Sequence, residues 1–335
     1  MDRPVYQHQY VDRATLQVIN ERLIADRSVN FLYNNLRESA PAMFNALTSR
    51  RMSSLLGFMH YDLGTGRSKS PLRLFEALNA DWRECVEPLS YYTTQRRVFE
   101  RRIRYWQTRP MEKQTDTVVS PADSRVLIGS FANASSVFIK SKFFEIRELL
   151  GIDCPWYPRF FGGDYAIFRL TPDKYHYNHV PISGKVVDFY TVDGRYHSCN
   201  PIAQVAIASV YSKNRRVVTL IDTDIEGGSN IGMVAMVEIV ALMIGDIVQC
   251  YSEEKYDNPR DVEKGMFLRR GCPKSLFRPG SSTVALLFQP NRIDFCEDLI
   301  RNSCRHDVNS RFTRRFGKPL VETDIKVRSN IARRK

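Results

Sequence analysis

The segment Phe277-Arg278-Pro279-Gly280-Ser281-Ser282-Thr283-Val284-Ala285-Leu286-Leu287-Phe288 decides how the chain is interpreted, because hydroxyl-bearing residues stand directly before an apolar run. Val284 to Phe288 is predicted to be a buried β-strand, since it is apolar and is preceded by Pro279 and Gly280. We call residues 280–283 the hydroxyl-rich turn. Gly and Ser are common in tight turns for backbone reasons alone, so a functional interpretation of this turn depends on other segments.

The composition is that of a globular protein: 43% of the 335 residues are hydrophobic, enough for one large domain or two modest ones. The formal net charge of +12 favours an anionic partner, such as a nucleic acid, a membrane surface or an acidic substrate. Because this charge is spread along the chain and no nucleic-acid-binding motif accompanies it, we expect no nucleic-acid partner.

The seven cysteines are scattered, odd in number and without C-x-x-C spacing. This pattern argues against a disulfide scaffold or a zinc site and favours a reducing compartment. The N-terminus has no apolar segment typical of a secretory signal. The most apolar stretch, Ile231 to Val248, contains Glu238 and Asp246, so we predict two core strands, or a strand and a turn, rather than a membrane-spanning helix.

The first third of the chain is predicted to be helical, from about Thr15 to Trp106, because apolar residues recur at three- and four-residue steps. This range includes a second stretch that is predicted to be helical, Tyr91 to Trp106, which is strongly basic. Basic residues beside an apolar face are typical of a helix on an anionic bilayer, although a solvated helix packed on its own core has the same pattern. We place a domain boundary near residue 110, with a helical, basic, membrane-facing region 1–110 before it.

Residues 111–335 are predicted to form a β-rich catalytic domain. Short β-type runs separated by Gly, Asn, Asp and Pro favour a mostly antiparallel core, which gives an α+β fold class. The end of the chain, from Arg301, is basic and is expected to become less ordered towards Lys335. Before the strand of residues 284–288, strands are predicted at 118–119, 126–128, 136–139, 165–168, 186–190, 205–208 and 217–220.

Three segments carry candidate chemistry. The first places Asp123 in a turn between two strands, the second contains His176 and His179, and the third contains Ser281 and Ser282. No third ligand accompanies the two histidines, so we expect no metal site. A hydroxyl, a histidine and a carboxylate instead suggest a nucleophile, a base and an orienting group. Each segment alone is also compatible with a purely structural turn or a buried histidine.

Together these segments resemble the phosphatidylserine decarboxylases, which carry a pyruvoyl group made from their own chain. Val118-Val119-Ser120-Pro121-Ala122-Asp123 is similar to the family's aspartate motif, and Tyr175-His176-Tyr177-Asn178-His179-Val180-Pro181 to its Y-H-x-x-H-x-P motif. Lys264-Gly265 and residues 277–288 are similar to its K-G…F-x-x-G-S-T-V-x-x-L-F end, and residues 99–110 to its F-x-R…R-P element. The resemblance covers residues 95 to 300.

The resemblance implies a zymogen that cuts itself between residues 281 and 282. His179, oriented by Asp123, would take the proton of a serine hydroxyl, and the serine would become the pyruvoyl cofactor. That group would form a Schiff base with phosphatidylserine and release phosphatidylethanolamine and CO2. His176 would bind the substrate or protonate the product. The enzyme would lie peripherally on the cytoplasmic side of an anionic phospholipid membrane. The resemblance is also compatible with a homodimer.

The chain departs from the family pattern at two places. Its turn reads Gly-Ser-Ser-Thr where the family has Gly-Ser-Thr, so Ser282 is favoured as the pyruvoyl precursor and Ser281 is the alternative. Ser124 follows Asp123 where the family has Gly. Two other functions therefore stay open: a pyruvoyl-dependent decarboxylase of a free aromatic amino acid, and a non-cleaving, membrane-associated protein of the same fold.

Overall fold

The structure is a computed structural model that describes residues 7–23, 26–62, 70–132, 145–206, 209–242, 246–280 and 282–335. Within these ranges the chain forms helices and largely antiparallel sheets, which confirms the predicted α+β class. The domain boundary near residue 110 stays a prediction. The strands are β1 Gln9–Asp12, β2 Val18–Asn20, β3 Thr117–Val119, β4 Ser124–Ser130, β5 Asp164–Leu170, β6 Tyr177–His179, β7 Gly184–Val192, β8 Arg216–Asp222, β9 Met233–Val240, β10 Ile247–Gln249, β11 Phe267–Leu268, β12 Pro273–Phe277, β13 Ser282–Phe288, β14 Ile293–Phe295, β15 Thr323–Ile325 and β16 Asn330–Arg334.

The N-terminal helices begin at residues suited to that position. The Ser49 hydroxyl caps one helix by accepting a hydrogen bond from the Met52 N–H, and the Thr94 hydroxyl caps another. Pro41 and Pro71 each stand at the first residue of a helix, where the missing N–H has no intrahelical partner to lose. The α-helices are α1 Asp26–Phe31, α2 Arg37–Ser39, α3 Pro41–Leu47, α4 Arg50–Tyr61, α5 Pro71–Leu78, α6 Gln95–Phe99, α7 Tyr105–Thr108, α8 Ile146–Leu150, α9 Pro201–Ala206, α10 Val210–Lys213, α11 Glu297–Ser303 and α12 Arg311–Phe316.

The main sheet of the described chain has the strand order β11-β7-β8-β9-β13-β5-β4-β15-β1-β2. Its neighbouring strands are antiparallel except β1 and β15, which are parallel. Strand β13 lies between β9 and β5, and its first residue, Ser282, is opposite Val240 on one side and Leu170 on the other. The strand predicted from Val284 to Phe288 is therefore confirmed and lies well inside the sheet.

Both faces of β13 are buried, which explains its continuous apolar sequence. Val284, Leu286 and Phe288 belong to one hydrophobic core, and Ala285 and Leu287 belong to the core on the opposite face. A strand with a single buried face would instead alternate apolar and polar residues.

Two small sheets flank the main one, with the orders β10-β12-β6 and β14-β16-β3. Strand β12 leads directly into the hydroxyl-rich turn and then into β13, so this turn joins a small sheet to the main sheet. Strand β6 is paired with β12, with His179 opposite Pro273 and Asn178 opposite Ser275. This pairing positions the two-histidine segment beside the strand that leads to the turn.

Several local predictions were wrong. Residues 18–20 form β2 rather than helix, and Tyr91 to Trp106 contains only short helical turns. Residues 205 and 206, predicted as strand, belong to α9 instead, because the Asn200 side chain accepts the Ile202 N–H and Pro201 starts the helix; residues 207 and 208 lie outside the described residues. The C-terminal end is not less ordered, since β16 pairs with both β3 and β14.

The other strand predictions had different outcomes. Those at 118–119, 126–128, 165–168, 186–190 and 217–220 are confirmed by β3, β4, β5, β7 and β8. The stretch Ile231 to Val248 contains β9 and the first two residues of β10, so two strands are present, but only β9 is a core strand because β10 is half-buried in a small sheet. The strand predicted at 136–139 lies outside the described residues.

Candidate functional site

Ser282 is the first residue of β13 and is fully buried. Its hydroxyl has no hydrogen-bond partner among the described residues. Buried hydroxyls without a hydrogen-bond partner are uncommon in folded proteins. The Ser282 hydroxyl therefore contributes no hydrogen bond to the fold, which indicates a role other than a structural one. Gly280, two residues earlier, has φ 145°, a conformation that favours glycine over residues with a side chain. Ser281 lies outside the described residues, so the preference for Ser282 over Ser281 stays a prediction.

His176 lies just before β6 and is fully buried. Its ring stacks on Phe99, with 3.5 Å between ring centroids, and neither ring nitrogen has a hydrogen-bond partner among the described residues. Burial, assisted by the nearby Arg101 guanidinium, lowers the pKa of His176 to about 3. The His176 carbonyl accepts the Phe277 N–H at 3.1 Å, so the backbone of this histidine contacts the end of β12, three residues before the hydroxyl-rich turn.

His179 is the last residue of β6, and hydrogen bonds hold both of its ring nitrogens. Nδ1 is 2.9 Å from the Gly271 carbonyl oxygen, and Nε2 is 3.0 Å from the Tyr175 hydroxyl. Burial lowers the pKa of His179 to about 3, so the ring is neutral near pH 7. Because a carbonyl oxygen only accepts, Nδ1 carries the hydrogen and Nε2 accepts the Tyr175 hydroxyl hydrogen.

Asp123 lies near His179 in the fold but makes no hydrogen bond to it. The two segments meet through the backbone, where the His179 N–H donates to the Pro121 carbonyl at 2.7 Å. The Asp123 carboxylate instead accepts hydrogen bonds from the Arg109 side chain and from the Val327 N–H at 2.8 Å. Gly271 and Tyr175 therefore make the hydrogen bonds that fix the His179 ring, and the orientation of His179 by Asp123 stays a prediction.

The charge state of Asp123 follows from its partner. Burial alone would raise the pKa of Asp123, but the Arg109 guanidinium and its hydrogen bonds outweigh burial and hold this pKa below its ordinary value. Arg109 also binds Glu84, with nitrogen–oxygen distances of 2.8 and 2.9 Å. The negative charge of Asp123 raises the basicity of His179 through space, whereas Arg109 and Arg328 lower it.

The sequence analysis missed several residues of this site. Phe99, Arg109 and Tyr175 stand in the quoted motifs, but no function was assigned to them. Tyr256 had no sequence signal, because it lies 81 residues from Tyr175 in the chain and meets it only in the fold, with 2.7 Å between the hydroxyl oxygens. Its spacing from the motifs could not have revealed it.

A buried polar cluster lies on the same face of the main sheet as Ser282. Glu238 is directly opposite Val284, two residues along β13 from Ser282. Its carboxylate accepts hydrogen bonds from Lys274 at 2.7 Å and from Asn178 at 3.0 Å, and from the Ser275 hydroxyl. Asn178 lies between the two histidines in sequence, so the cluster connects the histidine strand to the sheet beneath the turn.

His8, Glu21 and Glu322 form another buried group, whose ring nitrogen and carboxylate oxygens approach one another closely enough to suggest a metal site. However, Arg169 donates to Glu21 at 2.7 Å and to Glu322 at 2.8 Å. The arginine supplies the positive charge that a cation would otherwise bring, so we interpret the group as an ion-pair network. Among the described residues, no helix is both long enough and apolar enough to span a bilayer.

Comparison with known proteins gives one consistent family. The sequence model of the family described as phosphatidylserine decarboxylase matches residues 96–314. The chain is 30% identical to a phosphatidylserine decarboxylase proenzyme of Chlamydia trachomatis, over 88% of this chain and 92% of that protein. It is 27% identical to the proenzyme of Clostridium tetani, again over 88% of this chain and 92% of the relative. Proenzyme 3 of Schizosaccharomyces pombe is 30% identical over 87% of this chain, which corresponds to 29% of that longer protein. The chain therefore belongs to the phosphatidylserine decarboxylase family.

Proposed function

We propose that the protein is a self-cleaving zymogen that decarboxylates phosphatidylserine to phosphatidylethanolamine, with a pyruvoyl cofactor derived from Ser282. The observation that carries this proposal is the Ser282 hydroxyl, which is fully buried, has no partner among the described residues and begins a central strand in a chain of this family. A structural serine at this position would be expected to hydrogen-bond to the backbone.

The segment that carries His176 and Asn178 beside β12 supplies polar groups that suit a pyruvoyl group. Such a group, once formed, supplies a ketone that acts as the electron sink for loss of CO2 from an amino acid. Among the described residues, the ring nitrogens of His176 and the Asn178 Oδ1 have no hydrogen-bond partner, so they are available to hydrogen-bond a substrate. Since His176 is neutral at pH 7, it can accept a hydrogen bond from a substrate or position a proton for the product.

Self-cleavage would use the chain's own groups. The Tyr175 hydroxyl must first give up His179 Nε2. His179 then accepts the proton of the Ser282 hydroxyl at that nitrogen, and the Ser282 oxygen attacks the carbonyl carbon of residue 281. The bond between this carbon and the Ser282 nitrogen breaks, and the nitrogen takes up a proton, which leaves an ester. Removal of the Ser282 Cα hydrogen then expels the carboxylate of residue 281 and cuts the chain. Hydrolysis of the resulting dehydroalanine releases ammonia and leaves the pyruvoyl group.

The N-terminal helices support peripheral binding to an anionic membrane, and we assign this surface to the cytoplasmic side. Phe58 and Met59 lie three and four residues after Leu55 on α4, and all three are about half exposed, at 50% for Leu55, 49% for Phe58 and 56% for Met59. Phe31, Met43 and Leu72 on neighbouring helices are also exposed. Exposed apolar side chains on a chain of net charge +12 suit a phosphatidylserine-containing surface.

Denaturing mass spectrometry of the purified full chain tests the proposal. We expect two polypeptides, with the shorter one beginning at a pyruvoyl group that reacts with a hydrazine. Ser282→Ala should give one uncut chain, while Ser281→Ala should still be cut. An intact wild-type chain without a reactive ketone would refute the proposal, and cleavage lost only in Ser281→Ala would move the precursor to Ser281. Turnover of free aromatic amino acids but not of phosphatidylserine would instead establish the amino-acid decarboxylase.

A further inference from the structure

We propose that Asn178 is the hydrogen-bond acceptor for the amino group of the substrate, and that Glu238 fixes the Asn178 side-chain amide in the orientation this role requires. The inference deepens the proposed function and rests on it. An amide oxygen has lone pairs and no hydrogen, so it binds an amine and not a carboxylate or a phosphate. Glu238 acts through Asn178 and is therefore a positioning residue.

The contacts of Asn178 leave one orientation for its amide. Nδ2 donates one hydrogen to the Glu238 carboxylate and the other to the Ser275 hydroxyl oxygen, each at 3.0 Å. The carboxylate only accepts, and the Ser275 hydroxyl donates its own hydrogen to Glu238. The amide oxygen therefore cannot replace Nδ2 at these contacts, and Oδ1 points away from Glu238 and Ser275.

Oδ1 is the open position of a network that is otherwise well paired. Lys274 Nζ donates to Glu238 at 2.7 Å and to the Gln249 side-chain oxygen at 2.9 Å. The Asn178 side chain is fully buried, and its Oδ1 has no partner among the described residues. Because a buried acceptor without a donor is costly, it indicates a place where a ligand supplies the donor.

Strand pairing places Asn178 and His176 on one face of the small sheet β10-β12-β6. Asn178 lies in β6, and the His176 carbonyl accepts the Phe277 N–H, which continues the pairing of this segment with β12. Residues two apart in a strand project to the same face. Since the Asn178 side chain contacts Glu238, this face packs on the face of the main sheet that carries Ser282.

Contacts of β10 show which residues of the two sheets face each other. The Gln249 side chain approaches Glu238 at 3.4 Å, and Ile247, two residues earlier, packs against the apolar cluster that contains Val240. Val240 is directly opposite Ser282 in the main sheet. Ile247 therefore lies at the level of Ser282, and Gln249 lies two residues further along.

The same levels apply to the two-histidine segment. Through β12, His176 is in line with Ile247, and Asn178 is in line with Gln249. His176 thus lies at the level of Ser282, and Asn178 lies about 7 Å further along, the rise of two strand residues. An amine that enters this layer between the sheets to react at residue 282 therefore meets Oδ1 as a fixed acceptor.

Two lipids that differ only in the amine test the inference. The uncut Ser282→Ala chain is titrated by calorimetry with dihexanoylphosphatidylethanolamine and with dihexanoylphosphatidylpropanol, which has a methyl group in place of the ammonium group. We expect about tenfold tighter binding of the ethanolamine lipid, the effect of one hydrogen bond to a charged group. Non-specific attraction would favour the propanol lipid, because it is anionic and the chain has a net charge of +12.

Adding Asn178→Leu should abolish the preference, because the ammonium group would be buried without its acceptor. Asn178→Ser should do the same while keeping a donor for Glu238, and it replaces the leucine variant if urea unfolding shows that the latter is not folded. Gln249→Met is the matched control. It removes another side-chain amide beside Glu238 but leaves Asn178, so the preference should remain.

Several results would overturn the inference: equal affinity of the Ser282→Ala chain for the two lipids, no binding of either lipid, or a preference that survives the Asn178 variants. A preference that is lost only in His176→Leu would assign the amine to His176 and would also overturn it. A wild-type chain that never cuts itself would instead refute the proposed function. That failure is separate, because the binding measurement uses an uncut chain.

Discussion

Arg109 holds the Asp123 carboxylate with two nitrogens: Nε lies 3.0 Å from Oδ1, and Nη2 lies 2.7 Å from Oδ2. Both residues are buried, so removing the arginine leaves an unpaired carboxylate. We expect Arg109→Met to lower the free energy of unfolding by about 3–5 kcal/mol. Urea denaturation in the uncut Ser282→Ala background measures this. Arg305→Ala, which breaks the surface pair with Asp307, is the control and should have no measurable effect.

The same pair predicts a pH dependence. Since the folded-state pKa of Asp123 is below its ordinary value of 3.8, its stabilisation is present above that pH and is lost as the pH falls further. Without Arg109, burial raises the pKa of Asp123, so the stability difference between the Ser282→Ala chain and its Arg109→Met derivative should begin to shrink above pH 3.8 and continue to shrink as the pH falls. Urea titrations at neutral and acid pH test this, and a difference that grows in acid would contradict it.

His176→Ala separates catalysis from maturation. The His176 ring makes no described hydrogen bond, so the uncut chain loses little polar contact when the ring is removed. We expect the variant still to cut itself but to decarboxylate phosphatidylserine at least about 100-fold more slowly. Gel analysis and CO2 release measure the two steps. His306→Ala, at an exposed position, should match the wild type in both. Unchanged turnover in His176→Ala would remove His176 from the substrate site.

The exposed face of α4 is predicted to bind the membrane. Replacing Leu55 and Phe58 by Glu adds negative charge where the side chains would enter an anionic surface. Flotation with phosphatidylserine vesicles should fall strongly, while cleavage of the chain is unchanged. Ile300→Glu is the control variant, because Ile300 on α11 is also apolar and is exposed to a similar extent, at 48%. Equal loss of flotation in Ile300→Glu would show that α4 is not the specific contact.

Lys274 and Glu238 are predicted to depend on each other for stability, so that removing one of them costs more than removing both. Both side chains are completely buried, 2.7 Å apart. Lys274→Met in the Ser282→Ala background should destabilise the chain by about 3–5 kcal/mol, because Glu238 keeps an uncompensated charge. The double variant with Glu238→Met should recover most of this loss. If the double variant is no more stable than Lys274→Met, the buried charge is not the cause.

The helices and strands that were predicted correctly are those whose conformation is determined by their own local sequence. Strand β13 is apolar throughout because both of its faces are covered, and α4 has a serine cap. The strand prediction was wrong at residues 205 and 206, because short apolar runs are ambiguous between strand and helix and the Asn200 cap favours the helix. The C-terminal strand β16 is ordered by pairing with β3, which lies more than 200 residues away in the chain and is beyond local pattern analysis.

The candidate site was predicted in its residues more than in its contacts. Motif resemblance named Asp123, His176, His179 and the serines as candidates, whose roles stay predictions, but it did not indicate which groups would be in contact. The partners of His179 proved to be a backbone carbonyl and a phenol, and neither a carbonyl orientation nor the approach of Tyr256 is encoded in a local pattern. Ion pairing of Asp123 with Arg109 likewise depends on how the residue after α7 and the residue before β4 meet in the fold.

The central location of β13 bears on what happens to the protein after scission between residues 281 and 282. The shorter polypeptide would supply β13 to the middle of the main sheet, where β5 and β9, both from the longer polypeptide, flank it. The two products would be interleaved, and neither could leave without tearing apart a fully hydrogen-bonded sheet. The mature enzyme should therefore melt as one cooperative body and fail to reassemble afterwards, since the covalent link that guided its first folding no longer exists.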